Sequence, residues 1–481
     1  MDVFNQKFLQ MKTQRLIKSF DKNLKKHASL LAIACFALFL DSCNVKETDV
    51  TPQLPKEDTS PANKFSADVA STWVEMQLKL TKTTAGYTPP VAARAYALGG
   101  LTMYESVVGG LSNNQSLAGQ LAALTTLPNT ETGKSYNWAL SANAAEANIM
   151  RALYAEASRP QAVINKRIID SVEVVLKNAY IVGVTQDIID RSEKYGQSIA
   201  DAIFEWSKTD GGHEGYKRNF PATYVIPVSI GSWQVTEGGQ KIPMQPTWGT
   251  NRTFVPANQE MPLPNPIAFS TSLISPYFGQ FFEVYTVGKS LSAEQKEIAA
   301  FWADNPTETF TPAGHSYNIT NIAVKQSKSG LGKAAEGFAH AGITLNDAFI
   351  NCWKCKFKFN TERPYTMVRR EIDATWKPLF GTPPFPGFPS GHSTQSGAVS
   401  EVLTNFFGEN FAFTDNSHDG RKDVTTGIIL KSRSYSSFAD FSREAALSRL
   451  YGGIHTRQDN ETGLAEGKKI AKNVLALKFK K

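Results

Sequence analysis

Cysteine is scarce in this chain. Four occur among 481 residues, and two of them, Cys35 and Cys43, lie within the first 43 positions. Only Cys352 and Cys355 remain for the body of the protein. No second C-x-x-C accompanies them, which excludes a four-thiolate zinc site within one chain. No βαβ pattern surrounds the pair, which argues against thioredoxin-like redox chemistry. A local disulfide in an exported protein and two buried free thiols on a helix both stay open. Basic runs interleaved with aromatics are missing beyond the N-terminal region, so nucleic acid is not expected as a partner. The formal net charge is +7, but residues 1–43 hold seven basic and three acidic side chains and carry more than half of it. Regular strand alternation and repeats of fixed period are also missing. With 41% hydrophobic and 20% charged residues, the rest is ample material for a large folded core.

The N-terminal region reads as a targeting segment. Lys22, Lys25 and Lys26 precede the apolar run ASLLAIACFALFL at 28–40. Thirteen residues are short of the ~20 that span a bilayer, and suit the apolar region of a secretory signal. The following LDSC (40–43) resembles a bacterial lipobox, with Asp41 as a departure from its usual residue. The resemblance implies lipidation at Cys43 and an exported protein held at the cell envelope, its membrane partner reached through an N-terminal acyl chain. Residues 44–64 are polar and rich in Pro and Thr, as a flexible tether would be.

Beyond the tether, alanine, leucine, glutamate and lysine dominate residues 65–208, with apolar positions three and four apart. Residues 209–285 are crowded with Gly, Pro, Trp and Thr and form a long connection. It is too rich in aromatics, Trp233 and Trp248 among them, to be a simple linker. Helical spacing returns over 286–481. The expectation is an all-α fold of helical bundles, two helical halves around a long connection, with the site in the C-terminal bundle.

One stretch, PPFPGFPSGHST (383–394), carries most of the chemical information. Its prolines stiffen the approach to Ser390, Gly391 and His392. Behind these, Val399, Leu403, Phe406 and Phe407 recur at helical spacing. Ser390 stands where an N-cap belongs, and a helix start of this kind is a site for an anion. Upstream lie Lys356, Arg363 and Pro364, spelling K-x6-R-P. Downstream lie Ser448, Arg449, His455 and Asp459, spelling S-R-x5-H-x3-D. Lys356, Arg363 and Arg449 supply three cations and many donors, Ser390 and Gly391 neutral donors, and His392 and His455 two imidazoles. That inventory suits a tetrahedral oxyanion such as phosphate or vanadate.

Together the three segments resemble the superfamily that joins vanadium-dependent haloperoxidases, type 2 phosphatidic acid phosphatases and bacterial class A acid phosphatases. The resemblance implies that Lys356, Arg363, Ser390, Gly391 and Arg449 hold the oxyanion oxygens. His455 would bond the phosphorus or vanadium, and His392 would serve as general acid–base. Asp459 would orient the His455 ring or complement the dipole of its own helix. Asp304, in FWADN, would pair with Arg449. Trp353 and Phe385 resemble the halide-side aromatics of the haloperoxidases. They and the size of the chain favour a haloperoxidase that uses vanadate, peroxide and a halide. The alternatives are an acid or lipid phosphatase acting on a phosphoester through a phosphohistidine, needing no cofactor, and an inactive oxyanion-binding lipoprotein. Of the other histidines, His213 and His418 are expected to be solvated, His340 packed or at the surface, and His315 near the entrance.

Overall fold

A computed structural model describes residues 59–154, 161–236 and 238–481. The expected targeting segment, Cys43 and most of the expected tether lie outside the described residues. Residues 58–481 form one compact unit. Its order begins inside the expected tether, where Pro61–Lys64 makes a short turn and the Asn63 side chain accepts the Gly332 N–H at 3.0 Å.

The helices run in chain order α1 (Asp68–Thr83), α2 (Pro89–Val107), α3 (Trp138–Tyr154), α4 (Gln161–Tyr180), α5 (Gln186–Ser207), α6 (Pro276–Lys289), α7 (Ala293–Phe301), α8 (Thr311–Gln326), α9 (Leu331–Phe359), α10 (Pro364–Glu371) and α11 (Gly391–Phe407). A two-stranded antiparallel pair, β1 (Phe413–Asp415) and β2 (Arg433–Tyr435), precedes α12 (Phe438–Tyr451) and α13 (Arg457–Leu475). The expected all-α architecture is what the chain adopts. The departures are local. The small β pair interrupts the helical C-terminal part, and α6 begins within the expected connection. Among the described residues no helix is long and apolar enough to cross a membrane.

Two close crossings organise the bundle. Every residue of α2 is buried, as its near-absence of charge requires. It packs along α9, and small residues make the approach possible. A Cβ added at Gly100 would stand 2.4 Å from the Phe338 carbonyl oxygen, and one at Gly342 would stand 2.8 Å from that of Tyr96. The second crossing joins α11 to α13. There a Cβ at Gly467 would lie 2.2 Å from the Thr394 carbonyl oxygen, and one at Gly397 2.8 Å from that of Leu464. Gly463 faces Ser390 and Ser393 in the same way, at 2.9 and 2.7 Å. Because the obstructing atoms are mostly backbone, side-chain repacking does not relieve the clash.

The long connection is ordered, as its aromatics imply. Trp233 donates its N–H to Asn360 O (2.7 Å), Glu362 N–H reaches Gly231 O (3.0 Å), and Met244 N–H reaches Pro384 O (2.8 Å). The connection thereby grips both the end of α9 and the proline-rich stretch. Cys352 and Cys355 are free, buried thiols on α9, so the disulfide alternative is not the one the structure adopts. Burial pushes both thiols up and keeps them protonated.

Gly467→Ala is expected to destabilise the protein by about 1–3 kcal/mol, the usual range for forcing volume into a closed contact. Gly279→Ala, where nothing lies within 4 Å of the added carbon, is the matched control. Chemical denaturation of the two variants checks the difference.

Candidate active site

The residues singled out in the three sequence motifs converge. Helix α9 delivers Lys356 at its last turn, and Arg363 stands at the N-cap of α10. Ser390 caps α11, its side chain accepting the Ser393 N–H at 3.4 Å. Arg449 lies in the last turn of α12, and His455 follows just before α13. Gly391, His392, Arg449 and His455 line a cavity of about 40 Å³ with Trp353, Phe385, Phe349, Ile454, Pro89 and Pro312. One water needs ~10–15 Å³ by this measure, so a small oxyanion is the scale of guest that fits.

Proline chemistry explains how the cations are held. Pro383, Pro384, Pro386 and Pro389 have no N–H, so the stretch carries more acceptors than donors. Lys356 makes good the deficit. Its Nζ donates to the carbonyls of Pro386 (2.9 Å), Gly387 (2.9 Å) and Pro389 (2.5 Å). Arg363 adds a bond from Nε to Phe385 O at 2.9 Å and from Nη1 to Ile454 O at 2.8 Å. Arg449 donates from Nη1 to Trp302 O at 2.8 Å. All three side chains are buried, and among the described residues none has a carboxylate within ion-pair distance. Burial pushes Lys356 down to about 8, which still leaves it cationic at neutral pH.

The two imidazoles are set for different tasks. His455 Nδ1 faces Asp459 Oδ2 at 3.1 Å, and its Nε2 meets Arg363 Nη1 at 2.9 Å. A guanidinium can only donate, so Nε2 is the acceptor and the proton resides on Nδ1. Burial, then Arg363 and Lys356, hold the ring well below the usual histidine range, so it stays neutral. Asp459 does both things expected of it. It closes a capping box with Thr456 at the start of α13 and orients the His455 ring. His392 is kept neutral by burial and by Arg449, and its Nε2 is shielded and without a protein partner.

Two further buried donors, Arg363 Nη2 and Arg449 Nε, also have no partner. Buried charge is ordinarily paired. Three cations without carboxylate partners, two spare guanidinium donors and His455 Nε2, whose lone pair would exchange its bond from Arg363 for the guest, therefore form a set that suits vanadate or phosphate. Trp353 and Phe385 stand together as wall, with ring centroids 5.0 Å apart, and the Phe385 ring lies 5.2 Å from Lys356 Nζ and 4.9 Å from Arg363 Cζ. Ser393, next to His392, turns away and donates to Asn460 Oδ1 at 3.2 Å.

Three expectations need correction. Asp304 does not bond Arg449. Its carboxylate accepts instead from His315 Nδ1 and His418 Nε2, each at 2.8 Å. His418 is buried rather than solvated, and His315 is wholly enclosed rather than at an entrance. Sequence reasoning also missed the Trp302 carbonyl, which no side-chain motif can announce, and the Pro89 and Pro312 walls, which come from the starts of α2 and α8.

Comparison with known proteins places these features. The fold is that of vanadium haloperoxidases. A family model, the VCPO second helical-bundle domain, matches residues 336–480. A structure described as the first bacterial vanadium-dependent iodoperoxidase is 33% identical with a TM-score of 0.72, covering 85% of this chain and 96% of that one. The holo form of a bacterial vanadium-dependent chloroperoxidase shares 16% identity at a TM-score of 0.63, over 82% of this chain and 92% of that one. No curated protein matches significantly in sequence. The chain belongs to the vanadium haloperoxidase superfamily and is an enzyme of it, a haloperoxidase or a relative.

Arg363→Lys is expected to weaken phosphate binding about tenfold or more, since an ammonium cannot reproduce the guanidinium fork. Calorimetric titration with inorganic phosphate checks it.

Proposed function

We propose that the protein is a vanadate-dependent haloperoxidase that oxidises a halide with hydrogen peroxide. The observation that carries this reading is the set of three buried cations with no carboxylate partner, arranged around a neutral His455 Nε2 beneath an aromatic wall. Lys356, Arg363, Ser390, Gly391 and Arg449 would hold the oxygens of vanadate, and His455 Nε2 would bond the vanadium. Bound vanadate supplies a Lewis-acidic centre that makes peroxide electrophilic toward halide.

The chain's own groups do the rest. Asp459 fixes the Nδ1–H tautomer of His455 and so keeps Nε2 unprotonated, its lone pair now held by Arg363 Nη1 and able to exchange that bond for the oxyanion's central atom. The backbone N–H groups at the start of α11 add donors without charge. His392 Nε2, free of protein partners, is the atom that takes up and returns a proton. Oxidising one halide ion to hypohalous acid consumes one peroxide and one proton and releases one water. Trp353, Phe385, Phe349 and Ile454 keep bulk water from the centre and offer a polarisable face to a halide. In the cell we place the enzyme outside the cytoplasm, tethered through Cys43. That proposal rests on the apolar run 28–40 and the LDSC sequence that follows it.

The test is halogenation of a phenol indicator by the protein from residue 59 onward, with and without orthovanadate, beside hydrolysis of an aryl phosphate. Vanadate-dependent halogenation that phosphate suppresses is expected. Phosphate release that vanadate inhibits, with no halogenation, would make the enzyme a phosphatase of the same superfamily. His455→Ala is expected to abolish turnover. His392→Ala should retain oxyanion binding while slowing chemistry by about 10²–10⁴, the usual acid–base factor. Loss of binding in the His392 variant would contradict that role.

A further inference from the structure

Behind the site lies a buried ionisable cluster that the mechanism above does not use. His315 on α8 is fully enclosed, with Nδ1 at 2.8 Å from Asp304 Oδ2 and Nε2 at 2.7 Å from Asp415 Oδ2. Both ring nitrogens face carboxylates, so both must carry protons, and the ring is an imidazolium. Asp304 accepts a second bond on Oδ1 from His418 Nε2 at 2.8 Å. Asp415, at the end of β1, is held in turn by the Ser417 N–H at 2.9 Å. The cluster thus joins four separate segments: the loop after α7, helix α8, strand β1 and the loop at His418.

Its connection to the site runs through Trp302. That indole stacks on the His315 ring with centroids 4.3 Å apart and an interplanar angle of 22°. Its Nε1 donates to Glu444 Oε1 at 3.0 Å. Two residues later Asp304 adopts a left-handed backbone (φ 49°), a conformation that Asp tolerates better than most residues, and its carboxylate is pinned on both sides by His315 and His418. With the ring and the following residue both fixed, the Trp302 carbonyl has one direction. It receives Arg449 Nη1 at 2.8 Å and faces His392. Asp304 is also the negative charge that acts on Arg449, through space rather than by contact.

Asp304, His315 and His418 can bring ligand atoms within 4.8 Å of one another, as a metal site would. Here those atoms already bond each other, and His315 is saturated by two carboxylates. Protons rather than a cation balance the charge.

We propose that Asp304, His315, Asp415 and His418 form a buried positioning network that holds the Trp302 carbonyl on Arg449 and His392 and thereby sets the oxyanion site. This rests on the oxyanion reading of the site, and its members are positioning residues that touch neither substrate nor cofactor.

The test compares wild type with Asp415→Asn, His418→Phe and His418→Gln. Glu336→Gln is the stability control. It lies 20 residues before Lys356 on α9, about 30 Å away along a helix. Vanadate and phosphate affinities are read by calorimetry, kcat and KM for peroxide by iodide oxidation, and Tm by calorimetric scan. Asp415→Asn and His418→Phe are expected to lose about tenfold or more in oxyanion affinity, as when a ligand's outer partner is removed. His418→Gln, which keeps a donor toward Asp304, should recover most of the loss. Glu336→Gln should lower Tm without changing affinity. Network variants that lose Tm yet bind oxyanion as wild type does would overturn the proposal, as would a stoichiometric metal bound at the cluster in purified protein. A wild type that binds vanadate but oxidises no halide would end the haloperoxidase reading while leaving the affinity comparison decisive. A wild type that binds neither oxyanion would overturn both.

Discussion

Burying Lys356, Arg363 and Arg449 together, with no carboxylate in contact, is the constraint around which the rest of the structure is arranged. In a low-dielectric interior like charges repel and each loses its hydration, so the arrangement is costly unless neutral dipoles and a guest anion offset it. The protein supplies the dipoles from its own backbone. The proline-rich stretch presents carbonyls without matching N–H groups, and Lys356 and Arg363 take four of them. The end of the His455 loop and Trp302 supply two more. One donor on each guanidinium, Arg363 Nη2 and Arg449 Nε, is left buried without a protein partner.

The same field decides what the histidines can be. Positive neighbours and burial keep His392 and His455 neutral, which a metal-bonding or nucleophilic nitrogen requires. On the far side of Trp302 the sign reverses. Two carboxylates flank His315 and raise it to about 10, a permanent cation. Histidine thus plays opposite electrostatic parts some residues apart, and the deciding factor is the charge of what it touches.

Position is enforced by close packing as much as by charge. His392 opens α11 and His455 opens into α13, and the glycine-lined crossing of these helices brings their N-terminal ends together. The fully buried α2 and the long α9 do the same for the two halves, so that Pro89 from the N-terminal part reaches the cavity wall.

The all-α class, the capped start of α11 and the motif residues that the fold brings together near His455 were legible in the sequence. Each depends on information local to the chain: helical periodicity, an N-cap serine, cations and imidazoles at fixed short spacings. The pairing of Asp304 with His315 and His418, the burial of those histidines and the part of the Trp302 carbonyl were not. Apart from the Asp304–His315 bond, which spans 11 residues, they arise from contacts about a hundred residues or more apart, such as His315 to Asp415 and Arg449 to Trp302. A polar residue in a loop looks solvated until the chain closes over it, and a backbone carbonyl has no signature in any residue's identity. Sequence determined which cations and imidazoles would be available to gather at one place. Tertiary structure decided which of them touch, because burial and charge compensation are properties of neighbours that only the folded chain assembles.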